Sequence, residues 1–310
     1  MSPIITFTVN PTIDRKADVD RVVPESKLRC HDERIDPGGG GLNVASAINE
    51  LGGEATAYFT RGGVVGGVLQ RLLDDRGVLN QAIEIEGNTR ENVIINESET
   101  GQQFRFGMPG PRLSEREQSA CLEAIEALAP VPSFLVLSGS LPRGVPANFY
   151  GRIIEATEHR SKVILDTGGK ALEEGVAQSV FLLKPNQREL GQLAGREIES
   201  DQEARDAAKQ LIDRGKVEVV MVSLGRGGVM LVTADAEHRI NAPTVKIRSK
   251  IGAGDSTVAG TVLAIQRGQS LADAARFGVA CGSAAVMTEG TELCRREDAE
   301  RLYAELKNPN

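Results

Sequence analysis

The chain has 310 residues, 40% of them hydrophobic and 25% charged, a composition that fits a folded globular protein and excludes wholesale disorder. Its 36 Lys and Arg against 43 Asp and Glu leave a formal net charge of −7. That acidic balance argues against general binding to nucleic acid or anionic membranes, so an anionic ligand needs a local cluster of cations.

The N-terminal Met-Ser-Pro-Ile-Ile-Thr-Phe-Thr-Val has no basic region and no small-residue cleavage site. No apolar run approaches the roughly 18 residues of a membrane span. Cys30, Cys121, Cys281 and Cys294 lie far apart, with neither CxxC nor Cys/His ligand spacing, and read as reduced thiols. A cytoplasmic protein is expected.

Nearly continuous apolar runs at Ile4–Val9, Ala55–Thr60, Phe134–Leu137, Val163–Leu165, Val180–Leu183 and Val217–Val222 predict strands buried on both faces. Between them, Leu42-Val44-Ala45-Ile48-Leu51 and Leu122-Ile125-Leu128 have helical spacing, with Gly52-Gly53 a stop after the first. The alternation predicts a mostly parallel sheet with helices on both faces. A helical tail runs from about Gly254 to Leu306, broken at Gly268 and Gly290. Residues 15–36 and 88–107 break the pattern with polar/apolar mixtures, including Asn92–Asn96, the turn Glu99-Thr100-Gly101 and Gln103–Phe106. They read as a small β-layer inserted into one α/β domain spanning 1–310.

Three glycine clusters stand where one element hands over to another. Gly38-Gly39-Gly40-Gly41 runs straight into a helix, letting backbone approach a ligand and offering free N–H groups to oxygens. Ser223-Leu224-Gly225-Arg226-Gly227-Gly228 follows a strand, as a ligand loop or as a tight hairpin. Gly252-Ala253-Gly254-Asp255 precedes an apolar helix, where successive N–H groups can form an anion-binding nest. Asp255 is either a helix cap or a reacting group.

GxxxxGK[ST], a complete GxGxxG after a strand, His-Arg-Asp and Gly-x-Ser-x-Gly are all absent from the sequence, which argues against P-loop NTPases, Rossmann dehydrogenases, protein kinases and serine hydrolases. His31, His159 and His238 are scattered and read as surface residues rather than metal ligands.

Taken in order, Asn10-Pro11-Thr12-Ile13-Asp14, Gly38–Asn43, Ser138-Gly139-Ser140-Leu141-Pro142, Lys184-Pro185-Asn186-Gln187-Arg188-Glu189 and Gly252–Asp255 resemble the PfkB carbohydrate kinase (ribokinase-like) family along essentially the whole chain. Each motif is weak alone; the ordered set is specific. Gly-Gly-Gly-Gly-Leu-Asn is closest to the phosphofructokinase-2 branch, whereas the tagatose-6-phosphate and fructose-1-phosphate kinase branches typically carry Lys at the position of Gly40.

The resemblance implies a three-layer α/β fold whose inserted β-sheet is a lid over the sugar, with ATP as donor, Mg²⁺ as its companion and a homodimer formed through the lids. It implies that Asp14, Gly38, Gly39, Asn43 and Ser138 hold the sugar, and that Asp255 is the base beside an anion hole at Gly252, Ala253 and Gly254. Lys184, Asn186, Gln187, Ser223, Gly225, Gly227, Gly228 and Ser283 serve the nucleotide by the same token, and Asn186 and Glu189 reach Mg²⁺ through water. Several kinases of the family bind K⁺ through carbonyls beside the nest, and the matching positions here are Ser249, Ile251, Ala285, Thr288 and Gly290.

Elementary chemistry agrees with these roles. Short acceptors such as Asp14 and Asn43 lose little rotamer entropy on gripping hydroxyls. Phosphoryl transfer needs positioning and charge stabilisation more than covalent chemistry. Asn186 and Glu189, three apart at a helix start, suit either a water-mediated Mg²⁺ site or a capping box. The nest and helix dipole favour ionised Asp255, so a low pKa is expected. Lys27, Arg29, Arg90 and Arg105 all fall in the lid segments, with Lys27 and Arg29 on one face if that stretch is extended. Four cations there favour a phosphorylated sugar, and the branch resemblance singles out Arg90 and Lys27. The expected reaction is therefore transfer from ATP to a hexose phosphate, fructose 6-phosphate first, with tagatose 6-phosphate or fructose 1-phosphate as alternatives. A non-catalytic sugar-phosphate sensor would be expected to lack the base or the nest.

Overall fold

The structure, a computed structural model, describes residues 3–307. Its elements are β1 (Ile4–Thr8), β2 (Thr12–Val19), β3 (His31–Gly38), α1 (Gly40–Glu50), β4 (Ala55–Arg61), α2 (Gly63–Asp75), β5 (Asn80–Glu84), β6 (Arg90–Glu97), β7 (Gln103–Phe106), α3 (Glu115–Glu126), β8 (Phe134–Ser138) and α4 (Phe149–Ala156). They continue with β9 (Lys162–Asp166), α5 (Lys170–Gly175), β10 (Val180–Leu183), α6 (Gln187–Ala194), α7 (Asp201–Asp213), β11 (Val217–Ser223), β12 (Val229–Val232), β13 (Glu237–Ile240), α8 (Ala253–Gln266), α9 (Leu271–Ala285) and α10 (Arg296–Lys307).

Nine strands form one sheet in the order β13-β12-β11-β10-β9-β8-β1-β4-β5. Its pairs are parallel except at the β11–β12 and β12–β13 edge. The period of two along each strand sorts side chains onto the two faces. Phe134, Val136, Ile164, Val219 and Met221 meet α1, α2, α8, α9 and α10, while Leu135, Leu137, Val163, Leu165, Val220 and Val222 meet α3 to α7. Two cores on one sheet make the three-layer arrangement expected from the apolar runs. The helical tail breaks as expected, into α8, α9 and α10. Among the described residues no helix is long and apolar enough to cross a membrane.

The inserted layer is a separate sheet in the order β3-β2-β6-β7, with β2 and β6 parallel and the outer pairs antiparallel. It is wider than the sequence suggests: β2 begins at Thr12 and β3 runs to Gly38, so Asp14 sits on the lid itself. Between Arg21 and Cys30 there is no strand; the chain turns at Pro24–Ser26, with Glu25 at φ 58°. Lys27 and Arg29 therefore project from an exposed irregular loop rather than from one face of a strand.

The second glycine cluster is in fact a hairpin between β11 and β12, closed by a single 3₁₀ turn at Gly225–Gly227. α8 and α9 approach closely enough that a Cβ on Gly278 would fall 2.7 Å from the Thr257 carbonyl and clash with Thr261 Oγ1. Because α8 starts at the third glycine cluster, this contact also fixes that cluster. Gly278→Ala must push α9 outward and is expected to destabilise the protein by about 1–3 kcal/mol in urea unfolding. A change within about 0.5 kcal/mol of zero would show that the two helices are not packed this tightly.

Candidate active site

Parallel strands leave their ligand-facing crevice at their carboxyl ends, and the chemistry-bearing residues collect there. Ser138 ends β8, Asp166 ends β9, Lys184 follows β10 and Ser223 ends β11. The N-termini of α1 and α8 open at the same edge, so their unpaired N–H groups face the crevice.

α1 is seated on β1 by Thr8, whose Oγ1 accepts a hydrogen bond from the Leu42 N–H at 3.0 Å. The glycine run must pass this close: a Cβ on Gly40 would clash with Ser138 Oγ and lie 3.0 Å from the Gly139 N–H. One turn on, Asn43 Nδ2 donates to Asp255 Oδ2 at 2.7 Å, joining the starts of the two helices.

Asp255 is not a helix cap. α8 is capped by Gly252 in the left-handed region, at φ 74°, with no side-chain cap. The Asp255 carboxyl is also not acidified as the nest suggests. Burial and the nearby negative charge of Asp166 push its pKa up to about 6, with Asp14 adding a smaller push, against the opposing pull of the Asn43 hydrogen bond and Lys184. Enclosure outweighs the helix dipole here.

Lys184 is itself buried, and its Nζ lies 3.0 Å from Asp166 Oδ1. Burial alone would lower the ammonium, but the charge and hydrogen bond of Asp166 hold it above its ordinary value. The same Nζ lies 3.6 Å from where a Cβ on Gly254 would stand, so it faces the nest.

On the lid side, Asp14 is buried, and Asn92 Nδ2 donates to its Oδ1 at 2.8 Å. Burial raises its pKa, while Asn92, Arg105 and Arg90 pull it down. Arg90 Nη2 donates to the Asn10 carbonyl at 3.1 Å and its Nη1 to the Met108 carbonyl at 3.2 Å. Gly38 is adjacent, since a Cβ there would lie 2.6 Å from Asp14 Oδ2. Of the four lid cations, Arg90 and Arg105 thus act on Asp14. Lys27 and Arg29 make no hydrogen bond or ion pair with these residues among those described.

A cavity of about 500 Å³ adjoins the nest. Ser223, Gly225, Gly228, Ala253, Gly254 and Ser283 line it, as the sequence suggests, together with an apolar wall of Val245, Ile247, Val279 and Val286. Lys184, Asn186, Gln187 and Gly227 are not among its lining residues; the Gly227 carbonyl accepts from Arg239 instead. Asn186 and Glu189 form a complete capping box at the start of α6, Asn186 Oδ1 accepting from the Glu189 N–H and Glu189 Oε2 from the Asn186 N–H, both at 2.9 Å. Each keeps one further lone pair or oxygen for a water.

The loop before α8 lies against the one after α9. Ser249 Oγ donates to the Gly290 carbonyl at 2.6 Å, the Arg248 N–H donates to Val286 at 2.8 Å, and Thr288 Oγ1 donates to the Ala285 carbonyl at 2.7 Å. Ser249, Ile251, Ala285, Thr288 and Gly290 are thereby gathered beside the nest.

Three contributors escape sequence reasoning. Asp166 is signalled only by following the run Val163–Leu165 at a strand's carboxyl end. Asn92 looks like an ordinary strand residue until the lid register places it opposite Asp14. Ala242–Ile247 has no regular structure and shows itself only as a cavity wall.

A family model described as pfkB family carbohydrate kinase matches residues 8–298. The chain is 44% identical over 301 residues to ATP-dependent 6-phosphofructokinase isozyme 2 of Mycobacterium tuberculosis, spanning 97% of this chain and 88% of that one. Among solved structures it is similar to phosphofructokinase-2 of Escherichia coli in complex with potassium, at TM-score 0.96 and 39% identity over 99% of this chain and 100% of the other. The same enzyme in complex with fructose-6-phosphate gives TM-score 0.94 at 38% identity, with the same coverage. With the nest, the enclosed aspartate and the lid in one crevice, the chain belongs to the pfkB family of carbohydrate kinases.

Proposed function

We propose that this enzyme transfers the γ-phosphoryl group of ATP to the C1 hydroxyl of fructose 6-phosphate. The observation that carries the reading is Asp255, enclosed at the start of α8 beside the nest and tied to Asn43 at the start of α1. The Asp255 carboxylate takes the hydroxyl proton as the hydroxyl oxygen attacks the γ-phosphorus, the bond from that phosphorus to the β,γ-bridging oxygen breaks and ADP leaves, and the N–H groups of Gly252–Gly254 stabilise the equatorial oxygens. Asp14 and Asn43 orient the sugar hydroxyls, with Gly38, Gly39 and Ser138 shaping the floor. Arg90 and Arg105 hold the substrate phosphate at the lid, where guanidinium forks match its oxygens.

The nucleotide occupies the 500 Å³ cavity, and Lys184, outside its lining but facing the adjoining nest, meets the phosphates there. Among the described residues no three metal-ligating side chains cluster, which fits a divalent ion that arrives on the phosphates. Asn186 and Glu189 would hold Mg²⁺ through water, and bound Mg²⁺ would neutralise developing phosphate charge. The gathered loops around Ser249 and Gly290 would hold K⁺ through backbone carbonyls. Free cysteines suit the reducing cytoplasm.

The enzyme works as a homodimer through the lid. Val93 pairs with Phe106 and Ile95 with Phe104 on one face, and Phe106 is 50% exposed. Light scattering is expected to give twice the 33.1 kDa chain mass; a monomer at micromolar concentration would refute the assembly.

Since the base must be ionised and its pKa lies near 6, kcat/KM should fall tenfold per pH unit below about pH 6. Asp255→Asn should lower kcat by roughly 10²–10⁴-fold and leave ADP affinity nearly intact. Near-normal kcat in that variant would remove Asp255 as the base.

Arg90→Ala should raise KM for fructose 6-phosphate by about 10- to 150-fold, as for loss of a charge-assisted hydrogen bond, with little change in KM for ATP. Equal turnover of fructose and fructose 6-phosphate by the wild type would contradict the phosphate subsite.

A further inference from the structure

The same cavity carries two cations that the motifs do not account for. Arg226, at the centre of the 3₁₀ turn, and Lys250, two residues before the cap of α8, both line it and are both exposed. No acidic residue is among the lining residues, and neither cation has an ion-pair or hydrogen-bond partner among the described residues.

Their neighbours behave differently. Arg248, two residues from Lys250, pairs with Glu289 at 2.6 Å. Arg239, across the hairpin from Arg226, pairs with Asp201 at 2.7 Å and donates to the Gly227 carbonyl at 2.5 Å. Arg248 and Arg239, which are not on the cavity wall, are thus neutralised by carboxylates, and Arg226 and Lys250 on its wall are not. In a chain of net charge −7, unpaired cations inside one cleft are an anion's counter-charge.

Their backbones are fixed although their heads are free. The turn carrying Arg226 is closed by the Leu224 N–H on the Gly228 carbonyl at 2.9 Å and the Gly228 N–H on Gly225 at 3.1 Å. Lys250 is held between the Ser249–Gly290 bond and the Ile251 N–H, which donates to Ser249 Oγ at 3.2 Å. Two anchored stems line one cavity, Lys250 two residues before the nest and Arg226 in the glycine turn, and so offer two separate cationic contacts to a ligand that carries more than one negative charge.

We propose that Arg226 and Lys250 clamp the polyphosphate of the nucleotide from the two sides of the cavity, Lys250 at the end beside the nest and Arg226 at the end beside the turn. This rests on the assignment of that cavity to the nucleotide. The clamp sets affinity for the donor through phosphate charge, separately from the apolar wall that would receive the base.

The test is calorimetric titration of wild type, Arg226→Gln and Lys250→Met with ADP and with adenosine, which has no phosphate, each without sugar. Each substitution is expected to weaken ADP binding about tenfold or more and to leave adenosine binding unchanged. Lys250→Arg should retain ADP binding, and added salt should weaken ADP binding to the wild type more steeply than to the double variant. ADP affinities within twofold of wild type, or a parallel loss of adenosine binding, would overturn the clamp. A wild type that binds fructose 6-phosphate but neither ADP nor adenosine would overturn it through the cavity assignment, leaving the sugar site standing.

Discussion

A lysine ammonium enclosed at the end of a strand requires a counter-charge, and the rest of this site is arranged around that requirement. Lys184 finds it in Asp166 one strand away, at 3.0 Å. Removing either partner from such a buried pair costs about 3–5 kcal/mol, because the other charge is stranded. The pair thereby fixes the carboxyl ends of β9 and β10 beneath the nest. It also sets the electrostatics of Asp255, which Asp166 repels and Lys184 attracts. The pair thus leaves a desolvated ammonium facing the nest, held in place before any ligand arrives.

The second constraint is steric. Two helix N-termini can converge on one crevice only where side chains do not fill it. At Gly40 the Ser138 hydroxyl occupies the place of any Cβ, and behind the crevice, where α9 packs on α8, the Thr261 hydroxyl and the Thr257 carbonyl do so at Gly278. The Asn43–Asp255 hydrogen bond then couples the start of α1 to the helix that begins at the nest. The lid closes the arrangement from the other side through Asp14, and is itself braced against the end of α2 and the loop after α9: Asp36 accepts from Arg76 of the first and Thr291 of the second, and Arg34 lies 3.7 Å from Glu292.

The layers were legible because strands such as Phe134–Leu137 are buried on both faces and so read as unbroken apolar runs. The lid's edges were less so. Pro11 separates β1 from β2, and Thr12–Asp14 gives no alternation long enough to mark where the strand begins. Lys27 and Arg29 were expected to share a face because they are two apart, but the turn at Pro24–Ser26 takes them out of any strand. Asp255 was legible as a residue, since the glycine nest marks it. Its proton affinity was not, because that depends on Asp166 and Asp14, which only the fold brings near. Asn186 and Glu189 illustrate a different limit: one spacing serves a capping box and a metal-water site equally well, and the box is what these side chains form with one another.

The chemistry of this site therefore turns on the state of one carboxyl. Carbon-13 NMR titration of the Asp255 side chain in the ligand-free protein measures it directly. Enclosure beside Asp166 predicts a midpoint near 6, whereas a midpoint at or below the ordinary aspartate value of 3.8 would mean that the nest and helix dipole dominate, contradicting the description of Asp255 as an enclosed base.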